Sequence, residues 1–300
     1  MAVTLQDKGA VVTGAGRGIG RAIALDMARR GAAVVVNDIE GDVAEAVVDE
    51  IRAAGGRAVA EVAAIGSAEA AEACIARALS AFGRFDILCA NAGVLRDAVL
   101  WKASDADFDL VVATHLRGAF TCGRAAARHF RDAGQGGRII LVASPAGQRG
   151  NFGQTAYAAA KAGVAAMART WSMELARAGV TVNAVVPVAL TRMVATIPGM
   201  AEHVAAAERG EALPDALRAD AGLGLAGDVA GLFSYLASDA AAGISGQCIG
   251  IGGDRLSIWA HPQEVSVALN TGGWSADDIA RGWDDLARDH LQSVGVQMPE

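Results

Sequence analysis

Apolar residues are arranged along the chain in two alternating rhythms. Short apolar-rich runs recur at Ala10–Thr13, Ala33–Asn37, Arg57–Val62, Asp86–Ala90, Arg138–Ala143, Val180–Val186 and Gln247–Ile251. Their length and β-branched content predict buried strands. Between them lie longer stretches with apolar positions three and four apart. One runs to about Arg30, Asp42–Ala54 stops at Gly55-Gly56, Ser67–Phe82 stops at Gly83, and an Ala-rich helix spans 155–178. Glycine just past the last helical residue is an expected stop signal. Strand and helix in regular alternation predict an α/β fold, a doubly wound parallel sheet with helices on both faces.

Three segments break the rhythm. Residues 104–132 read as a long helix interrupted near THLRGAF. Residues 188–227 hold two prolines, several glycines and two short helical patterns, followed by a helix at Gly227–Ser238. An insertion at the carboxyl end of a sheet suits a substrate lid. Residues 255–300 carry three of the five tryptophans, and Ser275 opens a helix from about Ala276 to Leu291. The expected organisation is a dinucleotide-binding domain over 1–254 and a C-terminal helical extension over 255–300. The extension's aromatic density predicts that it packs on its own or a neighbouring subunit.

Composition narrows the classes. The chain has 300 residues, 53% of them hydrophobic, with a formal net charge of −7. An acidic balance argues against nucleic acid and anionic membranes as partners. No apolar run approaches the ~18 residues of a membrane span, and a strand within ten residues of Met1 leaves no room for a signal peptide. The four cysteines are scattered without metal-ligand spacing, as in a reducing, cytoplasmic setting. No Cys/His cluster offers a metal site.

Candidate chemistry begins after the first strand. TGAGRGIG places glycines at 14, 16, 18 and 20 at a helix start, where bare N–H groups and the helix dipole suit a pyrophosphate. The second strand runs into Asp38, placed to accept from both hydroxyls of an adenine ribose. A carboxylate there also repels a 2′-phosphate and favours NAD over NADP, while Arg17 in the turn works the other way. The fourth strand ends in ANAG, whose small residues allow close approach and whose Asn91 can tie neighbouring strands.

The stretch SPAGQRGNFGQTAYAAAK (144–161) brings Ser144, Tyr157 and Lys161 together in one of few places where lysine replaces arginine. Tyr157 and Lys161, at i and i+4, share a helix face. An ammonium beside a phenol draws its pKa from ~10 towards the working range, and Ser144 offers a hydroxyl at a strand end. A packed tyrosine with a snorkelling lysine has the same spacing.

Together these motifs resemble the short-chain dehydrogenase/reductases over residues 5–254. NAGVLRD, HLRGAF and GNFGQTAYAAAK, with TRM after the sixth strand, are similar to the (3R)-hydroxyacyl-CoA dehydrogenase part of peroxisomal multifunctional enzymes and bacterial single-domain relatives. The resemblance implies a Rossmann fold and Tyr157 as acid/base, with Ser144 polarising the substrate oxygen. It implies that Lys161 holds the nicotinamide ribose and that His115 stands at the proton-relay position, where many members carry Asn. Cofactor contacts would come from Gly14, Arg17, Gly18, Ile19, Gly20, Asp38, Asn91, Ala92, Gly93, Tyr157, Lys161, Pro187 and Thr191. The acidic residue usual after the third strand is missing from EVAAIG (61–66).

The expected function is NAD-dependent oxidation of a secondary alcohol, of either a 3-hydroxyacyl-CoA thioester or an apolar cyclic alcohol such as a terpenol or hydroxysteroid. Arg96, Arg149 and Arg192 are candidates for CoA phosphates. The alternatives are an NADPH-dependent 3-ketoacyl reductase and a catalytically silent dinucleotide sensor. Family likeness also implies a homodimer or homotetramer built by helices 104–132 and 155–178.

Overall fold

In the computed structural model, which describes residues 3–191, 200–209 and 211–295, all seven expected strands form. They are β1 (Gly9–Thr13), β2 (Ala33–Asp38), β3 (Arg57–Val62), β4 (Ile87–Ala90), β5 (Gly137–Val142), β6 (Val180–Pro187) and β7 (Cys248–Gly252). An eighth, β8 (Arg255–Trp259), completes one sheet in the order β3-β2-β1-β4-β5-β6-β7-β8. The first seven pair in parallel and β8 is antiparallel to β7.

The order reverses between β1 and β4, because the chain winds outwards from β1 in one direction and then from β4 in the other. Helices cover both faces. On one side α1 (Gly18–Arg29), α2 (Gly41–Ala53) and α10 (Ala226–Ala237) enclose a core containing Val12, Ile23, Val34, Val36 and Phe233. On the other, α3 (Ala68–Phe82), α5 (Gly118–Ala133) and α7 (Thr155–Glu174) enclose Val11, Val35, Phe130 and Leu141. Val34 and Val36 thus face one helical layer and Val35 the other, which is why these strands are apolar at every position rather than alternately.

The predicted interruption of the helix over 104–132 has a definite form. After α4 (Asp105–Val112) the chain makes a π turn at Ala113–Arg117 before α5 begins. Such widened turns place one residue out of helical register and are frequent at functional sites. Gly118 follows where a Cβ would fall 2.8 Å from the Ile65 side chain.

Two elements differ from the sequence expectation. A short helix, α6 (Pro145–Arg149), follows β5 directly, with Ser144 as its N-cap. The sheet also does not end at β7. Gly253, at φ +51, and Asp254 make a two-residue turn, and Arg255–Trp259 folds back with Gly252 opposite Arg255. Leu256 and Ile258 of β8 remain exposed.

Beyond it, α11 (Ala276–Ala287) is capped as expected. Ser275 Oγ accepts from the Asp278 N–H at 3.1 Å, and the Asp278 carboxylate accepts from the Ser275 N–H at 3.1 Å. Only Ala287 of this helix is buried. Among the described residues beyond β8, the Gly295 N–H donates to the Arg149 carbonyl and His261 Nε2 to the Gly246 carbonyl oxygen, tying the extension to the domain.

The described part of the lid holds α8 (Ala201–Glu208) and α9 (Asp215–Ala219), with a small core of its own made by Leu190, Val204, Leu213 and Leu223. Arg218 fastens it to Asp254 at 2.7 Å and Asp228 at 3.0 Å. Arg192 and Met193 lie outside the described residues. Among the described residues, no helix is long and apolar enough to cross a membrane.

Candidate active site

The carboxyl ends of β1, β2, β4, β5 and β6 bring the expected site residues to one edge of the sheet, where this architecture binds its ligands. At β1 the chain turns through Gly14 and Gly18, both at positive φ. A Cβ on Gly14 would sit 2.7 Å from Ala92 Cα, and one on Gly20 would sit 2.1 Å from the Gly14 carbonyl oxygen. The turn therefore lies tight against the β4 end and admits no side chain at either position. Ile19 follows at the start of α1, and Thr191 Cγ2 lies 3.7 Å from where a Gly18 Cβ would stand.

Asn91 ties the two strands. Its Nδ2 donates to the carbonyls of Thr13 and Gly14, each at 3.0 Å, and the N–H groups of Asn91 and Ala92 both donate to Thr13 Oγ1 at 3.0 Å. The tie expected of Asn91 is thus present. Thr13, which completes it, was not singled out from sequence, although its place before the first glycine of TGAG could have marked it.

Asp38, at the end of β2, braces the glycine turn. Its Oδ2 accepts from the Gly16 N–H at 3.0 Å and its Oδ1 from the Glu40 N–H at 3.2 Å. Arg17 is held in a two-pronged pair with Glu40, the Nη2–Oε2 arm being 2.7 Å. The guanidinium expected to offset Asp38 is therefore engaged by a carboxylate. At the missing acidic position after β3, Asn37 fills the strand end by donating to the Glu61 and Ala63 carbonyls, each at 3.0 Å.

Ser144, Tyr157 and Lys161 converge from β5 and α7. Ser144 is buried, in extended conformation, and its Oγ accepts from the Ala146 N–H at 3.2 Å. The Tyr157 ring stands edge-on to the His115 ring with centroids 5.1 Å apart, and Lys161 Nζ lies 5.6 Å from the Tyr157 centroid. Lys161 is 4% exposed and donates to the Val142 carbonyl at 2.6 Å.

These environments set the protonation states. Burial, opposed by a hydrogen bond with Ser144, holds the Tyr157 phenol above its ordinary pKa. Burial also brings the Lys161 ammonium down to about 7. His115 falls to about 3, through burial and then the Lys161 charge. The expectation that the ammonium lowers the phenol is not met in this arrangement. Lys161 is turned to a carbonyl and depleted by burial, so desolvation dominates at Tyr157.

Around this centre, loop 94–99 and loop 150–154 are clasped by Ala98 N–H to the Gly153 carbonyl at 2.8 Å and by Gln154 Nε2 to Asp97 at 3.0 Å. Of the arginines considered for CoA, Arg96 faces Asp107 at 3.4 Å, whereas Arg149 stacks over the Trp259 ring at 5.7 Å. Pro187, the last residue of β6, pairs with Ile251.

The short chain dehydrogenase family matches residues 8–200. The chain belongs to this family. Hydroxyacyl-CoA dehydrogenase ChsB1 of Mycobacterium tuberculosis is 39% identical over 307 residues, covering 97% of this chain and 93% of the relative. The (2S)-[(R)-hydroxy(phenyl)methyl]succinyl-CoA dehydrogenase subunit BbsD of Thauera aromatica is 38% identical over 252 residues, covering 84% and 97%. Peroxisomal multifunctional enzymes match as well, and this chain spans less than half their length. The crystal structure of a short chain dehydrogenase from Mycobacterium avium superposes with a TM-score of 0.84 at 35% identity, covering 99% of this chain and 100% of that one. The family implies a nicotinamide cofactor, and the tight glycine turn beside a strand-end carboxylate fits one.

Proposed function

We propose that this dehydrogenase oxidises the secondary alcohol of a 3-hydroxyacyl-CoA thioester with NAD, using Ser144, Tyr157 and Lys161. The observation that carries the reading is the meeting of Ser144, the Tyr157 phenol and a buried lysine at the same sheet edge as the glycine turn. When bound, the nicotinamide supplies the acceptor for the hydride of the carbinol carbon. Ser144 orients the substrate oxygen. Tyr157 takes the hydroxyl proton in oxidation and returns it in reduction, leaving a ketone or restoring the alcohol. The neutral phenol found here is the proton-donating form. Its conversion to the accepting form calls for the Lys161 ammonium to act on it instead of on Val142.

Residues Gly14, Gly18, Gly20 and Asn91 would cradle the cofactor, and Asp38 its adenine ribose. The engaged Arg17 supports NAD over NADP and weighs against the ketoacyl reductase reading. A thioester is supported by the two full-length relatives named for CoA substrates. One of those names carries a phenyl group, so a ring and a thioester need not be alternatives. Among the described residues Arg149 has no carboxylate partner, which makes it the stronger candidate for a CoA phosphate. Exposed Phe108, Leu110 and Phe120 on α4 and α5, with Met173 on α7, support the homo-oligomer. We place it in the cytoplasm on its cysteine usage.

The test is NADH formation with purified protein and a panel of 3-hydroxyacyl-CoA thioesters, their free acids, terpenols and hydroxysteroids. Turnover confined to thioesters is expected. Turnover confined to free cyclic alcohols would overturn the substrate assignment.

A further inference from the structure

Two guanidinium groups flank the β7–β8 hairpin. Arg149, the last residue of α6, is exposed and stacks over the Trp259 ring of β8 at 5.7 Å. Trp259 stands opposite Cys248 in the β7–β8 pair. Burial raises the Cys248 thiol to about 11 against the opposing charge of Arg169, which sets Arg169 of α7 beside the same pair. Gln148 Nε2 adds a donor there, 3.4 Å from Cys248 Sγ. Among the described residues neither guanidinium has a carboxylate partner, although the chain has 33 acidic side chains against 26 basic ones.

The extension holds Arg149 from two sides. Trp259 lies under its side chain, and the Gly295 N–H donates to its carbonyl at 2.8 Å. A guanidinium stacked on an aromatic face stays charged and keeps its in-plane donors for another ligand, above all a phosphate. The pyrophosphate of the cofactor does not serve here. Its glycine turn follows β1, and five strand spacings separate β1 from β8, about 24 Å. The reacting end of the substrate is nearer, since α6 runs from its N-cap Ser144 to Arg149 in about 7.5 Å of helix. A free cyclic alcohol carries no anionic group for these donors. A CoA thioester carries phosphates at the far end of its pantetheine arm.

We propose that Arg149, held on Trp259, and Arg169 form the seat for the phosphates of the CoA part of the substrate, so that the C-terminal extension completes the substrate site. The inference rests on the proposed thioester reading and adds to it the element that recognises the carrier. Arg149 and Arg169 contact phosphate, whereas Trp259 is a positioning residue that acts through Arg149. The acidic balance of the chain is no obstacle. Two unneutralised guanidiniums supply the attraction locally, without a wide cationic surface.

The test compares one 3-hydroxyacyl group carried on CoA with the same group on pantetheine, which lacks the phosphates. Arg149→Ala and Arg169→Gln should each lower the ratio of kcat/KM for the CoA over the pantetheine thioester on the order of tenfold, as for one charge-assisted hydrogen bond lost. Trp259→Phe keeps a ring under the guanidinium and should keep most of the ratio, whereas Trp259→Leu should lower it as Arg149→Ala does. A second readout needs no turnover. With NADH saturating the cofactor site, adenosine 3′,5′-bisphosphate, which carries the phosphate chemistry of the CoA nucleotide, should bind the full chain in calorimetric titration. Its binding should weaken on the order of tenfold in Arg149→Ala. A ratio equal to the parent's in both arginine variants, or no binding of the bisphosphate to the parent, overturns the inference and leaves the proposed function standing. Absence of turnover with both thioesters in the parent, with the bisphosphate bound, overturns the proposed function and not the phosphate seat. If Trp259→Leu does not fold, the arginine variants and the titration of the unaltered chain decide.

Discussion

Lys161 donates to the Val142 carbonyl at 2.6 Å, linking the second turn of α7 to the last residue of β5. The bond places an ammonium where almost no water reaches. Burial holds its pKa at about 7, against ~10.4 in an unfolded chain. Between those values the unfolded state binds more protons than the folded one, so stability of the cofactor-free protein rises with pH across that window. Below pH 7 the penalty of burying the charge is complete.

It follows that Lys161→Met should stabilise the cofactor-free protein while abolishing turnover. The midpoint of thermal unfolding at pH 6 is expected to rise, by a few degrees, and the gain should shrink as pH is raised towards 10. A variant less stable than the parent at pH 6 would show that the Val142 bond outweighs the desolvation.

The proposed preference for NAD would rest on Asp38 and on the capture of Arg17 by Glu40. Asp38→Ala removes the carboxylate that repels a 2′-phosphate, and Glu40→Gln releases the guanidinium towards it. The double variant should raise the ratio of kcat/KM for NADP over NAD on the order of tenfold or more, the scale of one charge-assisted hydrogen bond gained or lost. An unchanged ratio would remove both residues from cofactor selection.

Gly14 is the third point of test. Alanine there must adopt φ +60 and bring its Cβ within 2.7 Å of Ala92 Cα. Gly14→Ala is expected to cost about 1–3 kcal/mol of stability and to weaken NADH binding, read by denaturant unfolding and by fluorescence titration. Parental stability and affinity in this variant would mean that the turn has room the structure does not show.

Much of this was legible from the chain. Strands buried on both faces betray themselves as unbroken apolar runs, as at Val34–Val36, and glycines after Phe82 and in TGAGRGIG mark stops and turns with a local physical cause. Partnerships between distant segments were not legible. Thr13 with Asn91, Arg17 with Glu40 and Lys161 with Val142 are set by which strand ends meet. The carbonyl that captures Lys161 has no side-chain signature at all. β8 was missed because its outer residues Leu256 and Ile258 alternate with polar ones in a segment too short to distinguish from a tail. The direction of the Tyr157 shift depended on burial, which periodicity does not report.

The most direct measurement pairs turnover with binding in Tyr157→Phe, using NAD and a 3-hydroxyacyl-CoA thioester. The variant keeps the ring against His115 and loses only the phenolic oxygen. Turnover should fall by on the order of a thousandfold, while NADH binds with an affinity close to that of the parent. Turnover at the parental rate with intact NADH binding would contradict the role of Tyr157 and the reading built on it.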